Sequence, residues 1–477
     1  MSLTSALNSA FSGLTAAGRS SSLVSSNIAN ALTDGYARRD LALGSDTTNG
    51  GVRILGTLRH VDLAVLSNRR EAEAGLRQAE TLSGFFSSYE AVLGQPGEAT
   101  SLTGRLADFE ARLVSAASRP DATSRLDAVA SSGRDLASQL NAASREIESQ
   151  RSAADRAIGT QVETLNKKLE TIQKLNTRIT AIEASGKDTT ALQDQRQALI
   201  DDVNEIVPVR RVQRDFGQVA LYSTGGAILL DGSPATIEFT PSNTVTADMR
   251  VETGRLSGLS INGIELGTDS ASSPLRGGTL LAQFEIRDEA GVAAQADLDA
   301  FARDLIERFQ SPGVDPTLGP TDAGLFTDAG DAFDPANEVG LAGRLSLNAL
   351  ADPNAGGESW RIRDGLGATA PGSVGDATML RTLKDALTST RPTPTGQKSA
   401  ADHGSDLLSK VARGRSERDE AVSYASSTYS QMREIELADG VDTDTEMQRL
   451  LLIEQAYAAN ARVIETVDEM MNTLLRI

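Results

Sequence analysis

Apolar residues spaced alternately three and four apart mark both ends of this chain. In the last stretch Leu450, Ile453, Tyr457, Asn460, Ile464, Val467, Met471 and Leu474 keep that spacing. A heptad seam of this length predicts a helix that seeks a partner helix along its whole length. Met447, Leu451, Ala458, Ala461 and Met470 widen the stripe, which runs to Ile477 with no polar tail. At the start Leu3, Leu7, Ala10, Leu14, Ala17, Ser21, Val24, Ile28 and Ala31 repeat the spacing among Ser, Thr, Ala and Asn. Arg19 is the only charge there before Asp34. Small residues let helix backbones approach but bury little area, so this helix is marginal alone. Docking on the core of its own domain is the simplest fate for the last helix by itself. Two such ends in one chain more economically find each other, so the expectation is a pair of terminal coiled-coil helices covering 1–40 and 437–477. In an isolated subunit these ends are expected to be disordered or loosely docked.

Between them the period changes twice. Gly35 follows the first helix and suits a left-handed stop, because glycine takes positive φ without steric cost. Tyr36 and the pair Arg38–Arg39 then head an extended segment, and VRILGTL at 52–58 reads as a strand opening with Gly50–Gly51. Residues 60–205 read as helical, broken at Gln95-Pro96-Gly97 and Arg119–Pro120. A long segment from Asp121 to Ala184 carries a third seam (Ile158, Val162, Leu165, Leu169, Ile172, Asn176, Ile179), and Pro208 ends the helix that returns from Ser185-Gly186. This predicts a long helical hairpin, in a helical-bundle domain assembled from 41–206, 277–310 and 400–436. From Val207 the pattern alternates in short runs joined by Gly and Asp turns, so 207–276 is expected to be a small inserted β-rich domain, which the family resemblance given below would make an outer domain. Residues 311–399 are rich in Gly, Pro and Asp and read as loops with short strands around Trp360 to Arg363. The fold class is therefore mainly α with inserted β.

Composition narrows the function. At 477 residues the chain has room for roughly three domains. A net charge of −19 repels nucleic acid and anionic membrane alike, so neither is an expected partner. No apolar run approaches the roughly 18 residues that span a bilayer, and residues 1–30 lack the charged and apolar regions of a secretory signal peptide. With no Cys and only His60 and His403, thiolate or histidine metal sites and Ser–His catalysis are not expected. Asp322, Asp328, Asp331 and Asp334 form an acidic run, but its spacing does not match a calcium loop and a solvated loop explains it better. GLGATAPG at 365–372 fails the dinucleotide spacing. No cofactor, metal or catalytic residue is expected, and the chain does not read as an enzyme.

The ends carry a resemblance. LNSAFSGLTAAGRSSSLVSSNIANALTDGYARRD resembles the N-terminal signature of bacterial flagellar axial proteins in its small-residue helix, Asn27-Ile28-Ala29-Asn30, Gly35-Tyr36 and Arg38. The last stretch is similar to the C-terminal signature of the same group, with Glu446, Leu450, Gln455, Tyr457, Asn460, Ile464, Asp468 and Leu474 among the matching positions. In the middle, LQDQRQALIDDVNEIVPV at 192–209, YSTGGAILLDG at 222–232 and RGGTLLAQFEIRDE at 276–289 resemble the flagellar hook-associated protein 1 family. The likeness covers 1–310 and 405–477 and leaves 311–400 poorly matched.

The resemblance implies a structural ring at the junction between flagellar hook and filament, outside the cell. It further implies delivery of the unfolded chain by the flagellar type III apparatus, with the N-terminal region as signal. The implied partners are copies of itself, the hook protein, a second hook-associated junction protein, and an export chaperone on the C-terminal helix. The alternatives are a rod or hook protein of the same superfamily, in which β-domains fill the middle, and a cytosolic coiled-coil scaffold. The assembly seam is expected at Leu3, Leu7, Leu14, Val24, Ile28, Leu450, Ile453, Tyr457, Ile464, Val467, Met471 and Leu474. The motif residues are Asn27, Asn30, Gly35, Tyr36 and Arg38.

Overall fold

The computed structural model describes every residue except 1, 2, 34, 48, 49, 270, 271, 312, 394, 395, 439 and 477. Asp439 and Ile477, the last residue of the apolar stripe, therefore lie outside the described residues. The chain begins with α1 (Leu3–Ala29) and an antiparallel hairpin of β1 (Arg39–Ser45) and β2 (Val52–Arg59). Four helices follow: α2 (Leu63–Leu93), α3 (Leu102–Ser118), α4 (Thr123–Ala184) and α5 (Thr190–Ile206). Local chemistry sets their ends. Asp62 caps α2 by accepting from the backbone N–H groups of Ala64 and Val65, and Ser101 caps α3 by accepting from Gly104. Gly94 ends α2 at φ 77°, where its missing Cβ leaves room for Ser101, whose Cα would lie 2.7 Å from one.

The long helical hairpin is unequal. α4 has 62 residues, roughly 90 Å at 1.5 Å per residue, whereas the return arm α5 has 17. The rest of α4 is covered by other parts of the chain, in two cores. One core gathers Leu82 to Leu93 of α2, α3, α4 from Leu126 to Ala154, and α7 (Gly291–Gln310). The other takes α4 from Ile158 to Ile172, α5, α6 (Gly278–Phe284) and the inserted strands. Between Ala154 and Ile158 lies a buried polar layer. Asp155 accepts from Arg287 Nη1 at 2.8 Å and from the backbone N–H groups of Ser242 and Asn243, while Arg151 donates to the carbonyls of Arg287, Thr246 and Met249. Arg287 sits in a π-helical turn, Glu285–Ala290, that joins α6 to α7 without a break.

The insertion holds two antiparallel sheets. One has the order β3 (Val209–Gln213), β4 (Val219–Ser223), β5 (Ile228–Asp231), β6 (Ser233–Pro234), and the other β7 (Ile237–Glu238), β8 (Leu259–Ile261), β9 (Ile264–Leu266). Their apolar faces share the second core with α4 and α5 instead of closing a core of their own.

Residues 311–399 differ from the expected loop. β10 (Phe326–Asp328) pairs with β11 (Leu345–Leu347), β12 (Arg391–Thr393) with β13 (Gly396–Lys398), and α8 (Leu341–Arg344), α9 (Arg361–Asp364) and α10 (Thr378–Thr388) lie among them. The stretch after Trp360, expected as a strand, is the helical turn α9. Leu325, Phe326, Leu341, Leu345, Ile362, Leu380 and Leu383 bury themselves in the first core, so tertiary burial holds elements that are too short to read locally. α11 (Ala400–Ala438) then runs back along α2, and α12 (Thr443–Leu475) returns to α1.

Candidate assembly interface

α12 and α1 pack side by side and run antiparallel. Asn27 near the end of α1 meets Glu446 in the first turn of α12, and Gly13 faces Asn460, whose side chain lies 2.8 Å from where a Cβ would stand. Both terminal helices are therefore formed and paired within one chain, in place of the loose ends expected of an isolated subunit. Asp442 caps α12 by accepting from Asp444 and Thr445, and Asp444 and Glu446 put carboxylates on the positive end of the helix dipole.

A buried polar lock fixes the pair where it meets the rest of the chain. Asn27 uses its whole amide. Nδ2 donates to Glu446 Oε2 and to the Arg39 carbonyl, each at 2.9 Å, and Oδ1 accepts from Tyr36 Oη at 2.8 Å and from the Arg39 N–H at 3.0 Å. Arg449 extends the lock by donating to Asp40 Oδ1 at 2.7 Å, and Asp40 also pairs with Arg38 and His60. Burial alone would raise the Asp40 pKa, but the Arg38 and Arg449 charges and the Arg38 hydrogen bond outweigh it and hold the carboxyl below its usual range. Gly35 turns the chain at φ 77°, with Ala198 of α5 3.6 Å from the position of a Cβ. Of the motif residues, Asn27, Tyr36 and Arg38 meet in or beside the lock. Asn30 instead closes the end of α1 on the Ser26 carbonyl.

The hairpin spans residue 41, where the sequence pattern divides terminal unit from bundle, and its tip packs on α1. Ser12 Oγ accepts from the Val52 N–H at 3.0 Å. A Cβ on Gly51 would fall 2.2 Å from Ser12 Oγ and 2.9 Å from Ser9 Cα. Small residues on α1 thus admit the hairpin as well as the partner helix. Sequence reasoning had assigned them only the second task, and missed Asp40 and Arg449 altogether.

The seam residues divide in two. Val24 and Val467 are buried between the helices, and Leu3, Leu14, Ile28, Leu450, Ile453 and Ile464 are half-buried there. Leu7, Tyr457, Met471 and Leu474 are exposed. Phe11, Met447, Leu451, Leu452, Val463, Met470 and Leu475 are exposed with them, so a large part of the apolar stripe has no partner in the single chain.

No group of three or more His, Asp or Glu is placed to hold a metal among the described residues. The acidic run of 322–334 is used locally: Asp322 accepts from Gly319 N–H, Asp328 pairs with Arg344, and Asp334 caps a 3-10 turn.

Comparison with known proteins points the same way. The family described as "Flagellar hook-associated protein FlgK helical domain" matches residues 86–315, and "Flagellar basal body rod FlgEFG protein C-terminal" matches 438–477. Flagellar hook-associated protein 1 of Bacillus subtilis is 24% identical over 95% of this chain and 94% of its own length. That of Escherichia coli is 23% identical over 100% of both. A solved structure of the flagellar hook junction protein FlgK from Burkholderia pseudomallei is similar over 55% of this chain and 46% of its own, at 20% identity and a TM-score of 0.44. The relatives are structural, the matches cover both the helical body and the last helix, and full-length likeness joins them. This chain is a structural component of the flagellum, not an enzyme, and belongs to the flagellar hook-associated protein 1 family.

Proposed function

We propose that this protein forms a ring at the junction between hook and filament, by lateral packing of its paired terminal helices. The observation that carries the reading is the α1–α12 pair itself. It is locked at one end by Asn27 and Glu446, yet it leaves Leu451, Met470 and Leu474 exposed. Exposed apolar surface of this extent marks a protein interface, and a head-to-tail contact between copies closes into a ring when the rotation allows. The family resemblance supplies the place and the neighbours: the hook protein on one side and a second hook-associated protein on the other. On this reading the chain is exported unfolded by the type III apparatus, and a chaperone covers α12 until assembly.

The test is the double substitution Leu451→Asp and Leu474→Asp. Both side chains are exposed in the single chain, so the purified subunit should melt as the unaltered protein does. Cells carrying it should make hooks without filaments and shed filament protein into the medium. Normal filaments on normal hooks would sink the proposal. The rod or hook alternative predicts mostly β structure between the ends, whereas 63–206 is helical here. Labelling at the distal end of the hook, as against along rod or hook, separates the two.

A further inference from the structure

The terminal unit, made of α1, the hairpin and α12, shares no apolar core with the body. The first core draws its members from Leu82 to Val411 and the second from Ile158 to Phe284, so neither contains a residue of the ends. The chain crosses between the two units twice, at 60–62 before α2 and between Ala438 and Thr443. Polar contacts complete the joint, and they run to α5 and the turn before it. Asp194 pairs with Arg39 and with Arg59, whose Nε donates to Oδ1 at 2.6 Å, and Asp188 accepts from Thr57 Oγ1 at 2.9 Å. Units joined by a small polar contact move relative to each other by default.

The Asp194 contact suits a pivot. Arg39 Nε and Arg59 Nη2 are buried there without a hydrogen-bond partner. A guanidinium carries five donors in a fixed fork, so the Asp194 oxygens can pass from one donor to the next while both arginines keep their counter-ion. Beside the pivot opens a cleft of about 670 Å³, with α1 and β2 on one side and the α4–α5 turn on the other. Its walls are left unsatisfied. Leu55 and Leu58 of β2 line it, and each is more than half exposed. Arg19, the only charge of α1, faces Glu183, Lys187 and Asp188 of the turn, and none of the four makes an ion pair among the described residues. Two acids against one lysine leave the turn wall net negative, opposite Arg19.

We propose that the terminal unit swings on the body about Asp194 and closes this cleft, carrying Arg19 to Glu183 and Asp188 and covering Leu55 and Leu58. The protein then has two poses, the open one seen in this structure and a closed one favoured by opposite charge and by apolar burial. On the ring reading, and resting on it, the swing lets the body and the terminal pair meet their neighbours at independent angles. In the isolated subunit it is an equilibrium within one chain.

The experiment measures distances between spin labels in the full-length subunit by double electron–electron resonance, with labels on Gly18→Cys and Ala184→Cys. Both positions are exposed, they adjoin Arg19 and Glu183, and the chain has no native Cys to label. A Cβ on Gly18 meets nothing within 4 Å. Two distances are expected, the shorter belonging to the closed pose. Arg19→Glu should reduce the shorter population about threefold, the size of effect an exposed ion pair supplies. Asp194→Asn should broaden both peaks and leave the melt of the body unchanged, since no core crosses the joint. A single narrow distance in the otherwise unaltered protein would overturn the proposal. So would a short population that Arg19→Glu leaves in place, or peaks that stay equally sharp in Asp194→Asn.

Discussion

Asn27 Nδ2 donates to Glu446 Oε2 at 2.9 Å and so joins two side chains 419 residues apart in the chain. Both are buried, Asn27 fully. Asn27→Asp places a second carboxylate against Glu446 and removes the two donors. A buried charge left without its partner costs about 3–5 kcal/mol, which is enough to open a helix pair held mostly by small residues. Proteolysis should then remove about 1–40 and 440–477 and leave the two-core body, whereas the unaltered chain keeps its ends. Equal protection of α12 in both would contradict the role given to Asn27. The double substitution Asn27→Ala with Glu446→Ala should cost less than the sum of the two singles, since they share one bond.

Gly51→Ala tests the hairpin's seat on α1. Its φ of 91° already disfavours a side chain, and the new Cβ would meet Ser12 Oγ and the Ser9 backbone. A loss of about 1–3 kcal/mol is expected, read as faster amide exchange in both α1 and the hairpin. Ser12→Ala, which only deletes the acceptor for Val52, should cost less.

Asp155→Ala should weaken the joint between the cores. The change leaves Arg287, buried with no exposure, with Asp288 as its remaining carboxylate and frees the backbone donors of Ser242 and Asn243. A cost of about 3–5 kcal/mol is expected, with the melt splitting into two transitions if the cores come apart. An unchanged single transition would show the layer to be dispensable.

Acid should loosen the lock through Asp40. Its folded pKa lies below the ordinary 3.8, so it binds a proton less readily folded than unfolded. Its stabilisation is complete above that ordinary value and is lost as pH falls through the lower, folded one. The Asp40 contribution is therefore flat at neutral pH and disappears only in strong acid. Asp40→Asn should remove that acid limb from the stability profile of the terminal pair, and a profile unchanged by the substitution would exclude Asp40 as its source.

Some of this was legible from spacing alone. The buried row from Ile158 to Ile179 and the change to alternating strands at Val207 are periodic over many residues, and burial enforces such periods. Direction was not legible, because a heptad repeat reads the same for parallel and antiparallel partners. The bounds of α5 were legible between Ser185-Gly186 and Pro208, but what covers the rest of α4 was not, because strands take part of that face and their pattern gives no hint of what they cover. The 311–399 region misled for the opposite reason. Turns of four residues such as α8 and α9 exist only because Leu341 and Ile362 are buried by distant elements. In the interface, Asn27 and Tyr36 stood out by resemblance, while Asp40 and Arg449 are ordinary surface residue types until the fold brings them together.

The lock between Asn27 and Glu446 also imposes an order in time. A bond that closes between residues 419 positions apart carries a large loop-closure penalty until the intervening body has folded and shortened the effective distance. Whenever the chain is delivered from its first residue onward, α1 emerges early and must wait, without its partner and without Glu446, until nearly the last residue has followed. The closing of the terminal pair then reports that the whole polypeptide has arrived, so a truncated copy would lack the surface that a neighbouring subunit could recognise.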